Sequence, residues 1–218
     1  MKLTKITAAA VAALTIAGAG ASTASATVNL APAQGTAQLI GGQLIFPGDV
    51  VGAKFDISKN PNILDIAAQM IGDYNAGVEA GKENLFRMYN PNSGEHFYTV
   101  NIAEALNVLV AGWNYEGTLG STQMSGAVAV YRLYNPNTTG PGAHYYTVNT
   151  NEVKNLVSLG WKAENVAFID AGPASIYVVY NPNSGEHFLT NSTDEVSHLL
   201  SLGWSEGYIG FHLNNSAV

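Results

Sequence analysis

The chain of 218 residues lacks cysteine and is poor in charge. Without cysteine it has no disulfide framework, no thiol nucleophile and no cysteine-ligated metal site. Exported eukaryotic domains of this size often carry disulfides, so their absence favours a bacterial, Gram-positive source. After the N-terminus no stretch is long and apolar enough to span a bilayer.

The N-terminus has the composition of an export signal. Lys2 and Lys5 precede an apolar stretch from Ile6 to about Ala21, and a small-x-small cleavage pattern ends at Ala26. We expect residues 1–26 to be a signal peptide and the mature protein to be secreted, either released or loosely held at the cell wall. A retained membrane anchor is the alternative. We expect no membrane insertion once the signal is removed.

The mature chain is acidic. Without Lys2 and Lys5, seven basic residues face 16 acidic ones, a net charge of −9. This balance gives no electrostatic reason to bind nucleic acid or an anionic membrane surface. Neutral or cationic partners fit better, including neutral glycans and the mixed-charge bacterial wall. The oligomeric state is left open by the sequence.

Residues 27–83 form a leader and a segment that does not repeat. Residues 27–35 are rich in small residues and predict a flexible leader. Short strands are predicted at 37–41, 43–46 and 50–57. A helix is predicted from Asn60-Pro61, with the proline at its first position, to near Gly77. This segment carries no chemical motif and is predicted to cap the rest.

Three copies of one repeat, of about 45 residues each, occupy 84–127, 128–174 and 175–218. Each opens with a strand ending in Tyr-Asn-Pro-Asn, followed by a turn and a strand that begins with His. Asn and Pro before Gly are turn chemistry, so each copy is predicted to begin as a β-hairpin.

A helix is predicted after each hairpin. Asn101, Asn149 and Ser192 are N-cap residue types, and a glutamate three residues later completes a capping box. A Gly-Trp pair ends each helix, as expected of a left-handed cap with an apolar residue behind it. A third strand follows. The predicted fold is α+β, with three strand-strand-helix-strand repeats packed as a compact pseudo-threefold domain; an open row of units is the alternative.

Strand alternation sorts the hairpin residues onto two faces. The first face is predicted to be core and holds Phe86, Met88, Tyr131, Leu133, Tyr177 and Val179. The other face and the turns supply the candidate ligand-binding residues: Arg87, Tyr89, Asn92, His96, Tyr98, Arg132, Tyr134, Asn137, His144, Tyr146, Tyr180, Asn183 and His187. Tyrosine, histidine, asparagine and arginine provide the flat rings and planar hydrogen-bonding groups of a glycan site. The third copy has Val178 for Arg and Leu189 for Tyr, so it is predicted to bind most weakly.

Structural interpretations compete with this one. Tyr-Asn-Pro-Asn can simply fix the turn, the histidine can bond neighbouring backbone, and the helix cap accounts for Trp113, Trp161 and Trp204. Three equivalent histidines can also meet on a threefold axis and hold zinc, although nothing in the sequence makes them converge. His198 and His212 have no counterparts and are predicted to be surface residues. No resident metal or cofactor is expected.

Catalysis has little support. The chain has no Gly-x-Ser-x-Gly, no His-Glu-x-x-His and no phosphate loop. Glu104, Glu152 and Glu195 resemble a series of general acids, but capping explains them. Identical residues spread over three copies suit multivalent binding better than one asymmetric catalytic constellation.

The pattern from Tyr89 to Thr99, followed by Gly112 to Gly117, resembles a family of secreted repeats of unknown function. The resemblance covers about residues 84–213. The second copy departs at Ala143, where glutamate is usual, and the third at Val178 and Leu189. Copies in that family occur in exported bacterial and fungal proteins, often beside cell-wall lytic domains. The resemblance implies an extracellular location and an accessory role at the cell wall.

The leading hypothesis is a secreted, non-catalytic module that binds cell-wall or other surface glycans. The alternatives are an extracellular protein-interaction or structural module and, with less support, a cell-wall hydrolase that uses the repeated histidines and glutamates.

Overall fold

The computed structural model describes residues 27–29, 36–40, 43–45, 60–123, 126, 128–138 and 140–215. The N-terminal part forms a three-stranded antiparallel sheet in chain order, with strands β1 (Thr27–Asn29), β2 (Thr36–Ile40) and β3 (Gln43–Ile45). The prediction of a flexible leader is wrong for 27–29, because these residues pair with β2 and so satisfy their backbone groups. The strand predicted at 50–57 lies outside the described residues.

Helix α1 spans Ile63–Glu79 and confirms the predicted helix before the repeats. Pro61 lies one residue before the N-cap, Asn62, rather than at the first helical position. One face of α1 is buried through Ile63, Ala67, Met70 and Ile71.

Each repeat forms two strands, a helix and a third strand, and the predicted fold class is confirmed. The first unit contains β4 (Lys82–Tyr89), β5 (His96–Thr99), α2 (Ile102–Val110) and β6 (Asn114–Gln123). The second contains β7 (Ala129–Tyr134), β8 (His144–Thr147), α3 (Thr150–Ser158) and β9 (Lys162–Ile169). The third contains β10 (Ala174–Tyr180), β11 (His187–Thr190), α4 (Thr193–Ser201) and β12 (Ser205–Leu213).

The first strand of each unit lies in the middle of an antiparallel sheet, in the orders β5-β4-β6, β8-β7-β9 and β11-β10-β12. The registers are equivalent, with Tyr89 opposite His96, Tyr134 opposite His144 and Tyr180 opposite His187. The third strand of each unit shifts register at a bulge. Each unit therefore holds its tyrosine and histidine side by side at the turn end of the hairpin.

The helix ends have the caps that the sequence predicts, except for the capping box. Asn101, Asn149 and Ser192 cap the helices through their side chains. Trp113 N–H donates to the carbonyl of Val108, and the other two tryptophans repeat this bond after a glycine with positive φ. The glutamates do not complete a capping box. They accept from a threonine hydroxyl, which in turn accepts the N-cap N–H.

The three units close into a ring. At one end of the ring the third strands meet: Thr122 bonds Ile169, Ala171 N–H donates to His212, and Ser121 pairs with Asn214. At the other end the hairpin turns meet, and a Cβ added at Gly142 would lie 2.5 Å from the carbonyl oxygen of Gly185. Contacts from the first unit to the second, the second to the third and the third back to the first establish the compact pseudo-threefold arrangement.

Both faces of the sheets are covered. Phe86 and Met88 pack with α1 and α2 in an outer core. A central core takes residues from every unit: Leu85, Tyr98, Leu119, Val130, Tyr146, Phe168, Ile176, Val178, Leu189, Phe211 and Leu213. The predicted core face holds for Phe86, Met88, Leu133 and Val179, whereas Tyr131 and Tyr177 are only partly buried. The face opposite is also buried, and its Arg and His residues lie between units.

Candidate functional site at the interfaces between units

A buried glutamate reaches from one unit to the histidine of the next. The carboxylate of Glu186, in the third unit, accepts the backbone N–H of His96 at 3.0 Å and lies 2.6 Å from its Nδ1. Glu95, in the first unit, contacts His144 in the same way, at 3.0 and 2.9 Å. The second unit has Ala143 at this position, so His187 lacks the equivalent carboxylate.

Each repeat histidine also packs between two aromatic rings. One ring is the tyrosine of its own unit, at centroid distances of 4.9, 5.2 and 4.7 Å for Tyr89, Tyr134 and Tyr180. The other comes from the preceding unit, edge-on at 4.7 to 4.9 Å: Phe188 for His96, Phe97 for His144 and Tyr145 for His187. The histidines are thus part of the interfaces. His96 and His144 bond glutamates, whereas His187 has a hydrogen bond with the neighbouring backbone at Gly185, as the structural alternative predicted.

An arginine joins the units at two of the three interfaces. Arg87 Nε lies 3.0 Å from a Glu116 oxygen, and its Nη1 donates to Glu195 of the third unit at 3.1 Å. The contact with Glu116 is an ion pair, and the buried Nε has no hydrogen-bond partner among the described residues. The Arg87 guanidinium lies 5.2 Å from the ring centre of Phe188.

Arg132 repeats this arrangement between the first and second units. It makes two hydrogen bonds to Glu104 of the first unit, at 2.7 and 2.9 Å, and one to Glu164 at 2.8 Å. Its guanidinium lies 4.7 Å from the Phe97 ring centre. The third unit has Val178 in place of this arginine.

These contacts shift the ionisation of the interface groups. Burial raises the pKa of Glu104, but hydrogen bonds from Arg132 and Thr99 outweigh it and lower the pKa overall. The hydrogen bond from His96 lowers the pKa of Glu116 against a smaller effect of burial. Burial lowers the pKa of His96, yet hydrogen bonds to Glu116 and Glu186 raise it above its ordinary value. Glu104 and Glu116, whose pKa values are lowered, therefore stay anionic at neutral pH.

A cleft runs along the interface between the third and first units. Two adjoining cavities of about 450 and 480 Å³ share Arg87, Glu116, Glu195 and His198 in their walls. The first cavity is lined in addition by the aromatic rings of Tyr89, Phe188 and Trp204. The second reaches the start of α4 at Ser192 and Asp194. Charged and aromatic groups thus line two adjoining cavities with shared walls.

The interface between the first and second units has an equivalent cavity. It measures about 470 Å³ and is lined by Glu104, Arg132 and Glu164, together with the start of α2. These residues occupy the same places in their units as Glu195, Arg87 and Glu116 do in the cleft. The pseudo-symmetry of the fold therefore produces the polar part of the site twice.

The predicted site residues fall into three groups. Arg87, Tyr89 and His96 come together in the cleft. Arg132, Tyr134 and His144 lie at the first–second interface, and Tyr180 and His187 at the second–third. Asn92, Asn137 and Asn183 are exposed at the turns, where the preceding asparagines, not these, close the turn by accepting backbone N–H groups.

Tyr98 and Tyr146 lie in the central core instead of on a surface. The hydroxyl of Tyr98 donates to the carbonyl of Leu189 and accepts its N–H, at 3.2 and 2.9 Å. The hydroxyl of Tyr146 bonds the backbone of Tyr98 in the same way, at 2.9 Å in both directions. These two rings join neighbouring units and are not part of the cleft.

Sequence reasoning missed Glu95, Glu186 and the hydroxyls of Thr99, Thr147 and Thr190. The sequence feature that could have revealed the two glutamates is the Ser-Gly-Glu-His motif of copies one and three. The histidine that each glutamate contacts lies in another unit, so the motif alone does not indicate the contact. His198 is exposed as predicted and borders the cleft. Exposed His212 lies 3.4 Å from Asp170. The described residues contain no group of three or more His, Asp or Glu placed to hold a metal, and the repeat histidines do not form one.

Within the described part of the chain, no helix is long and apolar enough to cross a membrane. A family model described as a domain of unknown function, DUF5648, matches residues 68–171 and 142–218. These ranges cover more than half of the chain, which therefore belongs to that family. No curated protein and no solved structure matches the chain.

Proposed function

We propose that this DUF5648 protein is a secreted, non-catalytic module that binds cell-wall or other surface glycans in the cleft between its third and first units. One observation carries the proposal. The cleft sets the rings of Tyr89 and Trp204 beside the planar charged groups of Arg87, Glu116 and Glu195. An aromatic ring covers the apolar face of a sugar, and planar polar groups bond its hydroxyls.

The cleft is also preorganised. Tyr89 stacks on His96, and both nitrogens of that imidazole face carboxylates. The guanidinium of Arg87 is held between Glu116 and Glu195. Because these side chains are fixed before a ligand arrives, little side-chain entropy is lost on binding.

The second cavity, at Arg132, supports multivalent binding. A glycan chain or wall that presents many copies of one sugar can engage both cavities, and the second contact then forms at a high effective concentration. Weak sites are sufficient for retention at a wall under those conditions. The N-terminal export pattern and the resemblance to repeats found beside lytic domains support an accessory role outside the cell.

The test is co-sedimentation of the mature protein, from Thr27, with purified Gram-positive cell walls. We expect wild type to sediment and a Tyr89→Ala/Tyr134→Ala double variant to remain in solution. Tyr180→Ala is the matched control, because it removes the equivalent half-buried ring from the second–third interface, which lacks the arginine. We expect it to sediment like wild type.

A wild-type protein that stays in the supernatant with every wall type contradicts glycan binding. A protein-interaction module is then favoured by the exposed Leu159 and Leu202, which are 65% and 62% accessible at the ends of α3 and α4. Release of reducing sugar from the walls would instead support the hydrolase alternative.

A further inference from the structure

We infer that the glycan taken by these cavities is cationic: a polymer of amino sugars whose amines are free rather than acetylated. This inference rests on the proposed function, since it names the ligand class of the same site. The inference is based on three features: the cleft between the third and first units, the equivalent cavity at Arg132, and the net charge of the chain.

Acidic side chains outnumber basic ones in the cleft. Its walls hold four carboxylates, Glu116, Glu186, Asp194 and Glu195, against one guanidinium, that of Arg87. Even with His96 and His198 both protonated, the four carboxylates would outnumber the three positive groups. The carboxylate of Asp194 is exposed, at the first turn of α4.

The equivalent cavity has the same imbalance. Glu83, Glu104 and Glu164 face the single guanidinium of Arg132. Burial raises the pKa of Glu83, whereas that of Glu104 is lowered by its hydrogen bonds. An acidic or phosphorylated glycan would meet like charge in both cavities, and the mature chain as a whole repels it.

The cavities already accommodate a cation of the protein itself. At each, the guanidinium in the wall lies between two carboxylates and over a phenylalanine ring, at 5.2 Å from the centre of Phe188, which also lines the cleft, and 4.7 Å from that of Phe97, which lies behind the second cavity's lining. Carboxylates and aromatic faces are the groups that hold ammonium ions. A protonated sugar amine beside Glu116 or Asp194 would find the same chemistry in the adjoining space, with Tyr89 and Trp204 to cover the ring face.

The test compares two soluble probes of equal length, a glucosamine hexamer and its fully N-acetylated counterpart, by calorimetry with the mature chain at a pH where the amines are protonated. We expect the free-amine hexamer to bind at least about tenfold more tightly, with an affinity that falls as salt rises. Asp194→Asn should weaken it about fivefold.

Asp65→Asn is the matched control, because it removes one exposed carboxylate on α1 that lines neither cavity. If both substitutions weaken binding equally, the attraction is general to the acidic chain and the inference is overturned. Equal or tighter binding of the acetylated hexamer overturns the charge inference but leaves glycan binding standing. Failure of both hexamers, with no co-sedimentation, overturns the proposed function itself.

Discussion

Two of the three interfaces between units contain an arginine among their glutamates, and the third has glutamates but no arginine. The third–first and first–second interfaces each contain an arginine between two glutamates and a histidine on a buried glutamate. At the second–third interface Val178 replaces the arginine and Ala143 replaces the buried glutamate. These departures occur in different copies of the repeat, yet they meet at one place in the fold.

At the second–third interface a tyrosine hydroxyl contacts the glutamate that has no arginine partner. The hydroxyl of Tyr145 donates to Glu152, the glutamate that an arginine would otherwise contact. Equivalent positions in the other units are phenylalanines, Phe97 and Phe188. The register places Gly207 where Glu116 and Glu164 stand, and the carboxylate whose charge acts most strongly on His187 is that of Glu206, one residue earlier.

The largest expected effect comes from removing a buried glutamate at an interface that contains an arginine. Glu95→Ala should lower the free energy of unfolding by about 2–4 kcal/mol, because it leaves the N–H and imidazole of His144 without their acceptor. The measurement is chemical denaturation of the mature chain. Ala143→Ser, at the interface that already lacks this carboxylate, is the control and should cost far less. Equal losses in the two variants would mean that the Glu–His contact contributes nothing.

A smaller loss is expected at the central core. Tyr98→Phe should cost about 1–3 kcal/mol, because the buried N–H and carbonyl of Leu189 lose the hydroxyl that they bond. Tyr146→Phe leaves the backbone of Tyr98 unpaired in the same way and should cost a similar amount. Thermal unfolding of both variants tests this pair, and an unchanged midpoint for either would show that its hydroxyl bonds are not stabilising.

The smallest expected effect is a change in titration. Burial lowers the pKa of His187, and that of His96 is raised by its glutamates. Imidazole NMR titration should therefore show His96 protonating at the higher pH. The stabilisation from His96 is present below the ordinary imidazole pKa and is lost as pH rises through the raised value. Protonation of His187 destabilises the fold as pH falls below the ordinary value.

Ala143→Glu should restore the missing carboxylate and raise the pKa of His187. The backbone at residue 143 already makes the hydrogen bond of the other units. Asn135 N–H donates to the carbonyl of Ala143, as Asn90 and Asn181 donate to the carbonyls of Glu95 and Glu186. An unchanged titration of His187 would show that the longer turn of the second unit keeps the new carboxylate away.

The helices show a second contrast between the units. Leu106 in α2 is fully buried, and α2 packs against α1. Lys154 and Ser197 occupy the equivalent positions in α3 and α4, and both are exposed. At this one helix position the sequence has an apolar residue only in the unit that α1 covers, which fits the predicted capping role of the segment before the repeats.

Local features of the fold could be predicted because neighbouring residues produce them. The hairpins, the N-caps and the Gly-Trp helix ends each depend on groups a few residues apart, and all were found. The capping box was wrong because Thr99, five residues before Glu104, competes for the same carboxylate. No rule based on neighbouring residues predicts whether the Glu104 carboxylate accepts from the Thr99 hydroxyl or from the N-cap N–H. The sequence predicted the residue types of the candidate site but not its location. The polar face of each hairpin packs against another unit, and the sequence of one copy does not show this.

By itself the sequence determined the repeat, its elements and their order, because period, turn chemistry and capping act over short distances along the chain. Only the tertiary structure decided which residues meet. Ring closure brings Glu186 to His96 and Glu195 to Arg87 across about a hundred residues, buries Tyr98 and Tyr146, and leaves the cleft beside Tyr89. Those contacts depend on how three similar surfaces fit together, which no single copy of the repeat specifies.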